Sequence, residues 1–389
     1  MNFINPYGQE KKKKEGIFHT PEDIALFMVN KTKVFDDGKG IWFDPCCGLG
    51  VLSILLVSIQ EDPIDFIKNR LIINEKDEHQ LAIALNNFME KFGVIPRSYN
   101  EDFLTLTIDY DYVIMNPPYF KYMDNDMYAY FLDEVTQKAK GFISINPMSF
   151  SNGRDFKKTR EGLLTYSSLT TYHFDNIPGH IFYDATVRVS IIIAHNTDNN
   201  RKTTTQIRWQ SNQRDKMILT LDDKLDDGLF TKDIFYKTSP NTTKYIHNDT
   251  LSKYTTEKTE YPLYITSTPR YFISASTKKL DRSGQIVIYL KDLETYHKAL
   301  ILLNSTYLYW WWRTSDSSMT LTKKTLMSLP WVDTIIDNEL IQEILESENT
   351  NKVYKMNAGK KQENIKHPME LVSKLNDLFI DVDLLWLHK

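Results

Sequence analysis

The apolar run Tyr112-Val-Ile-Met115 stops at Asn116-Pro117-Pro118-Tyr119-Phe120. Proline lacks an N–H and fixes φ, so a strand cannot continue through two of them, and a stiff loop must follow at the strand tip. That loop sets the amide of Asn116 and the carbonyl of Pro117 beside the ring of Tyr119. Two acceptors and a stacking face suit an amino group on a flat ring, or a primary amide. These residues by themselves leave both open.

The segments upstream repeat the pattern of strand, polar tip and helix. Ile41-Trp-Phe-Asp44-Pro-Cys46-Cys-Gly48-Leu-Gly50 reads as a strand, a glycine-bearing turn and the start of a helix. Many α/β turns carry glycines for geometry alone, so the carboxylate before the turn is the more telling feature. Leu71-Ile-Ile-Asn-Glu75-Lys-Asp77 is a second strand ending in acids, followed by a helix from Gln80 to Phe92. Asn100-Glu-Asp102-Phe103 pairs a carboxylate with a ring in a third loop. Each acid taken singly is equally a solvated loop residue. Together, Asp44, Glu75, Asp102 and Asn116 fall at successive strand C-termini, where open α/β sheets bind ligands. Ahead of them, Thr20 as N-cap, Pro21 at the first helical position and Glu22 and Asp23 in the first turn predict a helix start that offers free N–H groups to an anion.

Downstream the alternation continues. Helices are expected over Met127–Lys140 and Arg154–Leu164, with strands at Gly141–Pro147, Leu169–Phe174 and Val187–Ala194. Between the last two strands, a loop presents Phe182 and Tyr183. From Asn196 polar runs and basic strands replace this rhythm, and Ala299 to Arg313 forms a helix with Trp310, Trp311 and Trp312 in succession. Three neighbouring tryptophans cannot share one helical face, so at least one must face a cleft or a partner. Residues 1–195 hold 20 Lys and Arg against 26 Asp and Glu, whereas 196–330 hold 20 against 14, so the overall charge of −4 hides a basic middle. That middle is a candidate polyanion-facing surface.

The totals narrow the class. With 41% hydrophobic and 25% charged residues over 389 positions, the chain is an ordinary globular protein with room for two cores. No apolar run approaches the ~20 residues of a membrane span. The two cysteines, Cys46 and Cys47, are adjacent, which argues against a disulfide framework or a cysteine-based metal site. The expected setting is the reducing cytoplasm, with no membrane and no metal.

Asn-Pro-Pro-Tyr after Asp-x-Val-Ile-x, downstream of Asp-Pro-x-Cys-Gly-x-Gly, resembles the S-adenosylmethionine-dependent DNA adenine-N6 methyltransferases. With the helix-start element first and the recognition segment last, the order is similar to their gamma arrangement. The resemblance runs motif by motif over residues 16–194. It extends more loosely over 268–331, through Arg270-Tyr-Phe-Ile-Ser, Leu303-Asn304-Ser-Thr and Leu321-Thr-Lys323-Lys324. It implies an α/β fold: a Rossmann-like sheet with helices on both faces, followed by an α+β target-recognition domain. The divisions it implies are an arm at 1–15, a catalytic domain at 16–195, target recognition at 196–332 and a helical C-terminal segment at 333–389.

Carried over by residue, the resemblance implies that Thr20 holds the carboxylate of S-adenosylmethionine with Phe18 and His19 nearby. Asp44 would face its ammonium, with Cys46 and Gly48 lining the turn. Glu75, or Asp77 two residues on, would take the ribose hydroxyls, and Asp102, Phe103 and Pro118 would enclose the adenine. Asn116 and Pro117 would accept the two hydrogens of the target amine, and Tyr119 would stack on the flipped base. Phe182, or Tyr183 beside it, would stack on the opposite face. Arg270, Trp312, Arg313, Lys323 and Lys324 are the expected contacts to double-stranded DNA. Cys46 stands where these enzymes often carry a small residue, and the gap from Asp44 to Glu75 is longer than usual. A separate restriction endonuclease is a partner that the resemblance leaves open.

RNA adenine and the amide of a protein glutamine are rival substrates for the same Asn-Pro-Pro-Tyr chemistry. Glutamine enzymes of this kind look shorter and carry their extra domain in front, whereas here the long segment follows. A non-catalytic nucleic-acid-binding protein is the rival of another class, and the full set of cofactor positions argues against it. A fused nuclease is a further rival, but no nuclease motif stands out.

Overall fold

The computed structural model describes residues 16, 18–176, 178–183, 185–232, 235–237, 249–269, 272–315, 320–357 and 359–378. The expected arm at 1–15 lies outside them. Two compact units divide the chain, Met1–Lys237 and Thr238–Lys389.

The first unit alternates strands and helices. In chain order it begins with α1 (Glu22–Lys31), β1 (Trp42–Asp44), α2 (Val51–Ser58), α3 (Pro63–Asn69), β2 (Leu71–Asn74), α4 (Glu78–Phe92), β3 (Arg97–Tyr99) and β4 (Tyr112–Met115). A short hairpin, β5 (Lys121–Tyr122) and β6 (Asn125–Asp126), leads into α5 (Met127–Lys138). There follow β7 (Gly141–Pro147), α6 (Lys157–Leu163), β8 (Ser168–Phe174), β9 (Val189–His195), β10 (Arg201–Ile207), α7 (Arg214–Leu219), β11 (Asp226–Phe230) and β12 (Phe235–Lys237). Ten strands form one sheet in the order β12-β11-β10-β8-β9-β7-β4-β1-β2-β3. β3, β2, β1, β4 and β7 run parallel, and β9 lies antiparallel between β7 and β8. This is the Rossmann-like sheet that the sequence predicts.

Burial on both faces explains the near-continuous apolar strands. Trp42, Tyr112, Ile114, Ile143 and Ile191 pack with α1, α2 and α4 on one side. Phe43, Val113, Met115, Phe142 and Ile192 pack with α5 on the other. The strand order reverses direction at β1, with β2 on one side and β4 on the other. The crevice beyond the C-terminal ends of these strands is therefore where ligands bind in such sheets.

The first unit runs past the expected boundary at 195. β10 pairs parallel with β8, and β11 and β12 extend the edge antiparallel. Its threonines look like a change of composition, yet Thr203 and Thr204 are buried. Thr171 donates to the Thr203 hydroxyl at 2.7 Å, and Thr204 accepts the His173 N–H at 2.9 Å. Polar side chains that satisfy one another can occupy a sheet interior.

The second unit has a four-stranded antiparallel sheet in the order β13-β16-β14-β15, from β13 (Thr255–Thr256), β14 (Pro262–Thr266), β15 (Ala275–Ser276) and β16 (Gln285–Leu290). Its helices are α8 (Leu293–Asn304), α9 (Thr306–Ser315), α10 (Lys323–Met327), α11 (Asn338–Thr350) and α12 (Met369–Asp377). The expected helical C-terminal segment also contains a hairpin, β17 (Lys352–Asn357) and β18 (Lys360–Ile365). His367 ties this end inward, with its ring nitrogens 2.8 Å from the Ser347 hydroxyl and 3.0 Å from Asn304 Oδ1.

Candidate active site

A cavity of about 450 Å³ opens at the reversal point of the first unit's sheet. Of the residues expected around the cofactor, Phe18, His19, Thr20, Cys46, Gly48, Glu75, Asp102, Phe103 and Pro118 line it, and Asn116, which the same family pattern also sets against the cofactor, joins them. Its size falls within the range of small-molecule sites.

Asn116 sits where β4 ends. Its Nδ2 donates to the Phe18 carbonyl at 2.6 Å and to the Thr20 hydroxyl at 3.0 Å. A carbonyl can only accept, so the nitrogen must face Phe18, and the side chain presents its oxygen outward. Thr20 therefore does not cap α1. Pro21 takes the cap position without a side-chain bond, and the Thr20 hydroxyl accepts from Asn116 while keeping its own hydrogen to donate. Pro117 is buried and Pro118 half-buried against the cavity.

Tyr119 is fixed at both ends. Its hydroxyl donates to the Ile145 carbonyl at 2.8 Å, and its backbone N–H donates to the Gly16 carbonyl at 3.1 Å. A Cβ on Gly16, at φ +63°, would lie 2.5 Å from the Tyr119 backbone, so this close approach requires glycine. The Tyr119 ring centroid lies 5.7 Å from Phe18 and 5.8 Å from Phe182, the latter at 73°. Phe18 and Phe182 are 5.9 Å apart, which closes a three-ring cluster. Phe182 is only 1% exposed, whereas Tyr183 is 71% exposed with the Arg214 guanidinium 5.0 Å over its ring. Tyr119 and Phe182 thus meet edge to face and leave no slot for a ring between them.

Asp44 departs from its expected place. It does not line the cavity; it is fully buried, with Oδ2 accepting from Ser53 on α2 at 2.6 Å and Oδ1 receiving the Cys46 N–H at 3.4 Å. Burial pushes its carboxyl up to about 7, against the lowering effect of those two bonds. Its side chain leaves the strand toward α2 rather than the crevice, so it braces the glycine turn from beneath.

Glu75, the expected ribose ligand, lies in the cavity wall. Its carboxylate receives the Gly48 N–H at 2.9 Å and the Asp77 N–H at 3.0 Å, one on each oxygen, and burial raises its pKa. Asp77 also borders the cavity and caps α4 by accepting the Gln80 N–H at 3.1 Å. Asp102 caps the short turn Phe103–Thr105 and pairs with Lys76 at 2.7 Å, and Lys76 holds its carboxyl below the usual range. The Phe103 ring is packed 4.7 Å from Phe131. Burial raises the thiol pKa of Cys46, which makes it a neutral lining group at ordinary pH.

Three lining residues carry structure that the sequence reading did not single out. Asn74 donates to the carbonyls of Pro45 and Glu101, both at 3.0 Å, and accepts the Glu101 N–H at 3.1 Å, so it clamps the loops after β1 and β3. Lys76 is the partner of Asp102. Gln80 is 3% exposed, and its Oε1 has no hydrogen-bond partner among the described residues.

In the second unit, Trp312 and Arg313 are 1% and 4% exposed, which corrects their expected role as DNA contacts. Trp310 is also buried, and Trp311 is the half-buried one, donating to the Ser328 hydroxyl at 3.2 Å. Lys323 and Lys324 are exposed at the start of α10, and Lys323 borders a hollow of about 420 Å³ with Thr255, Thr256 and Tyr289. Arg270 lies outside the described residues. Among the described residues no group of His, Cys, Asp and Glu is placed to hold a metal ion, and no helix is long and apolar enough to cross a membrane.

Residues 2–129 match the family described as N-6 DNA Methylase. The match covers about a third of the chain. It carries β1 to β4, every cavity-lining residue except Phe131, and Asn-Pro-Pro-Tyr. The modification methylase CviBIII of Paramecium bursaria Chlorella virus NC1A is 27% identical over 222 residues, covering 52% of this chain and 55% of that protein. The chain thus spans about half the length of that relative. A chain of the DrdV–DNA complex solved by cryo-electron microscopy is similar at a TM-score of 0.50 and 16% identity, over 67% of this chain and 36% of that one. A chain of a type I R-M system is similar at a TM-score of 0.43 and 18% identity, over 51% and 46%. At such identities the structural likeness is one of fold.

Proposed function

We propose that this protein is a DNA methyltransferase of the cytoplasm that uses S-adenosylmethionine to methylate N6 of a flipped-out adenine within a recognised sequence. The observation that carries this reading is the outward-facing oxygen of Asn116, locked by Phe18 and Thr20 at the edge of a cavity with the right donor set.

The cavity residues fit the cofactor. Glu75 has one donor on each oxygen and spare lone pairs for ribose hydroxyls. Gly48, at φ +55°, leaves free a space in which a Cβ would come 3.3 Å from His19 Nδ1. The buried oxygen of Gln80 awaits a donor. Thr20 would donate its free hydroxyl hydrogen to the carboxylate end, and Asp102, Phe103 and Pro118 would hold the adenine end. When bound, S-adenosylmethionine supplies an electrophilic methyl group on a cationic sulfur.

The chain's own work concerns the amine. The N6 lone pair of adenine is delocalised into the ring and nucleophilic only when the nitrogen becomes pyramidal. Asn116 Oδ1 and the Pro117 carbonyl accept its two hydrogens, and acceptors placed off the ring plane favour that geometry. They also stabilise the positive charge that grows on the nitrogen as it reacts. Unstacking the base costs a few kcal/mol, and stacking on an aromatic face returns ~1–3 kcal/mol. Tyr119 is the rigid face, and Phe182 is the second once it swings clear of Tyr119. Lys323 and Lys324 are retained as proposed phosphate contacts of double-stranded DNA. A separate restriction endonuclease is a proposed companion.

Labelled-methyl transfer to duplex DNA, RNA and a glutamine-bearing protein, run side by side, tests this reading. Label recovered as N6-methyladenine from DNA supports it. Label in RNA or protein, with DNA blank, overturns it.

A further inference from the structure

We propose that Gln80 supplies the acceptor for the α-ammonium group of S-adenosylmethionine, the role that the family resemblance implies for Asp44. This inference rests on S-adenosylmethionine being the cofactor.

Three observations converge. First, Asp44 is removed from the cavity and already accepts from Ser53 and Cys46. An ammonium at this end therefore needs another partner, because a desolvated cation must be hydrogen-bonded. Second, Gln80 is 97% removed from solvent and lines the cavity, and its Oε1 has no protein partner. An amide oxygen in that state costs free energy unless a ligand satisfies it. Third, its position selects the methionine end. A Cβ built on Gly48 would lie 3.7 Å from Gln80 Oε1 and 3.3 Å from His19 Nδ1. The oxygen therefore faces the glycine turn and the Phe18–Thr20 segment, on which Asn116 is anchored. The adenine end, with Asp102 and Phe103, is another part of the wall.

Local structure explains why a glutamine is held there. Asp77 caps α4 by accepting the Gln80 N–H, which fixes the first turn. Gln80, Ala84 and Asn87 then share the buried face of the helix at i, i+4 and i+7. The amide thus occupies a core-facing position, where its headgroup reaches the cavity and cannot turn to solvent. A neutral acceptor also suits a wall that already holds Glu75, since a further carboxylate there would raise the cost of burying charge.

The test measures binding, not turnover. Calorimetry compares S-adenosylhomocysteine, which has the ammonium, with 5′-methylthioadenosine, which lacks the amino-acid portion. Gln80→Leu is expected to weaken S-adenosylhomocysteine roughly ten- to a hundredfold, the worth of a hydrogen bond to a charged group, and to leave 5′-methylthioadenosine unchanged. Equal weakening of both ligands, or of neither, overturns the assignment. Gln80→Glu keeps the shape and supplies a charged acceptor. It should bind S-adenosylhomocysteine at least as tightly as the wild type at pH 8, and weaker binding there counts against the proposal even if the leucine variant does not fold. A wild-type protein that binds neither ligand overturns the cofactor reading itself, and this inference with it. Binding by the wild type with no selective loss in the variants overturns this inference alone.

Discussion

The side-chain amide of Asn116 donates to the hydroxyl of Thr20 at 3.0 Å, across 96 positions of sequence. The same nitrogen reaches the Phe18 carbonyl at 2.6 Å, so the segment before α1 decides which end of the amide faces the reaction. Thr20→Val removes one of the two acceptors and loosens the amide, which the Phe18 carbonyl alone then holds. We expect kcat to fall roughly tenfold or more, since small misplacements of a reacting group are costly. Thr20→Ser, which restores the acceptor, should stay near the wild type. Serine and valine variants with equal losses would show that the hydroxyl plays no part in orienting Asn116.

Asp44 predicts a pH-dependent stability. Its carboxyl is raised from 3.8 to about 7 by burial, so the folded state binds the proton more tightly than the unfolded chain. Its contribution is neutral below pH about 4, grows unfavourable between about 4 and 7, and is fully adverse above. At most this amounts to about 4 kcal/mol. Asp44→Asn keeps the shape and removes the charge. Its melting temperature should exceed the wild type's at pH 8, with the difference vanishing near pH 4. A variant less stable at pH 8 would show that the ionised carboxylate is needed by its neighbours.

Phe182 predicts a dependence on the substrate's own opening. Its ring rests 5.8 Å from Tyr119, edge to face. Phe182→Ala removes the second stacking face, which helps to pay for unpairing a base. Activity on a fully paired duplex should fall further than activity on a mismatched target, whose base is already loosened. Equal losses on the two substrates would argue against a stack on that side.

The legible parts of this chain were those written in local chemistry. Two prolines after an apolar run can end a strand in one way, and Asn116, Pro118 and Tyr119 accordingly stand at the tip of β4. Glu75 and Asp102 were found because an acid at a strand's C-terminal end has the crevice in front of it. Asp44 occupies a similar place in the sequence, but its side chain turns to Ser53 on α2, a contact no local pattern encodes. Asn74 reads as a turn former, and its clamp on Pro45 and Glu101 is long-range. Gln80 left a usable signal, an amide on the core-facing stripe of an amphipathic helix. The threonines of β10 read as surface, whereas Thr203 and Thr204 bond to Thr171 and His173 of β8 inside the sheet, and the first unit runs on to Lys237. Trp312 and Arg313 read as a binding face because aromatic and basic residues suit one, whereas tertiary packing buries both.

The account turns on Asn116 acting at the target amine rather than in holding the cofactor. The direct measurement is Asn116→Ala, assayed for labelled-methyl transfer to DNA and, on the same preparation, for S-adenosylhomocysteine binding by calorimetry. The predicted result is loss of transfer by a hundredfold or more, the order seen when one reacting-centre acceptor or donor is removed, with binding within about threefold of the wild type. Retained transfer would contradict the account, and so would a loss of transfer fully matched by a loss of binding.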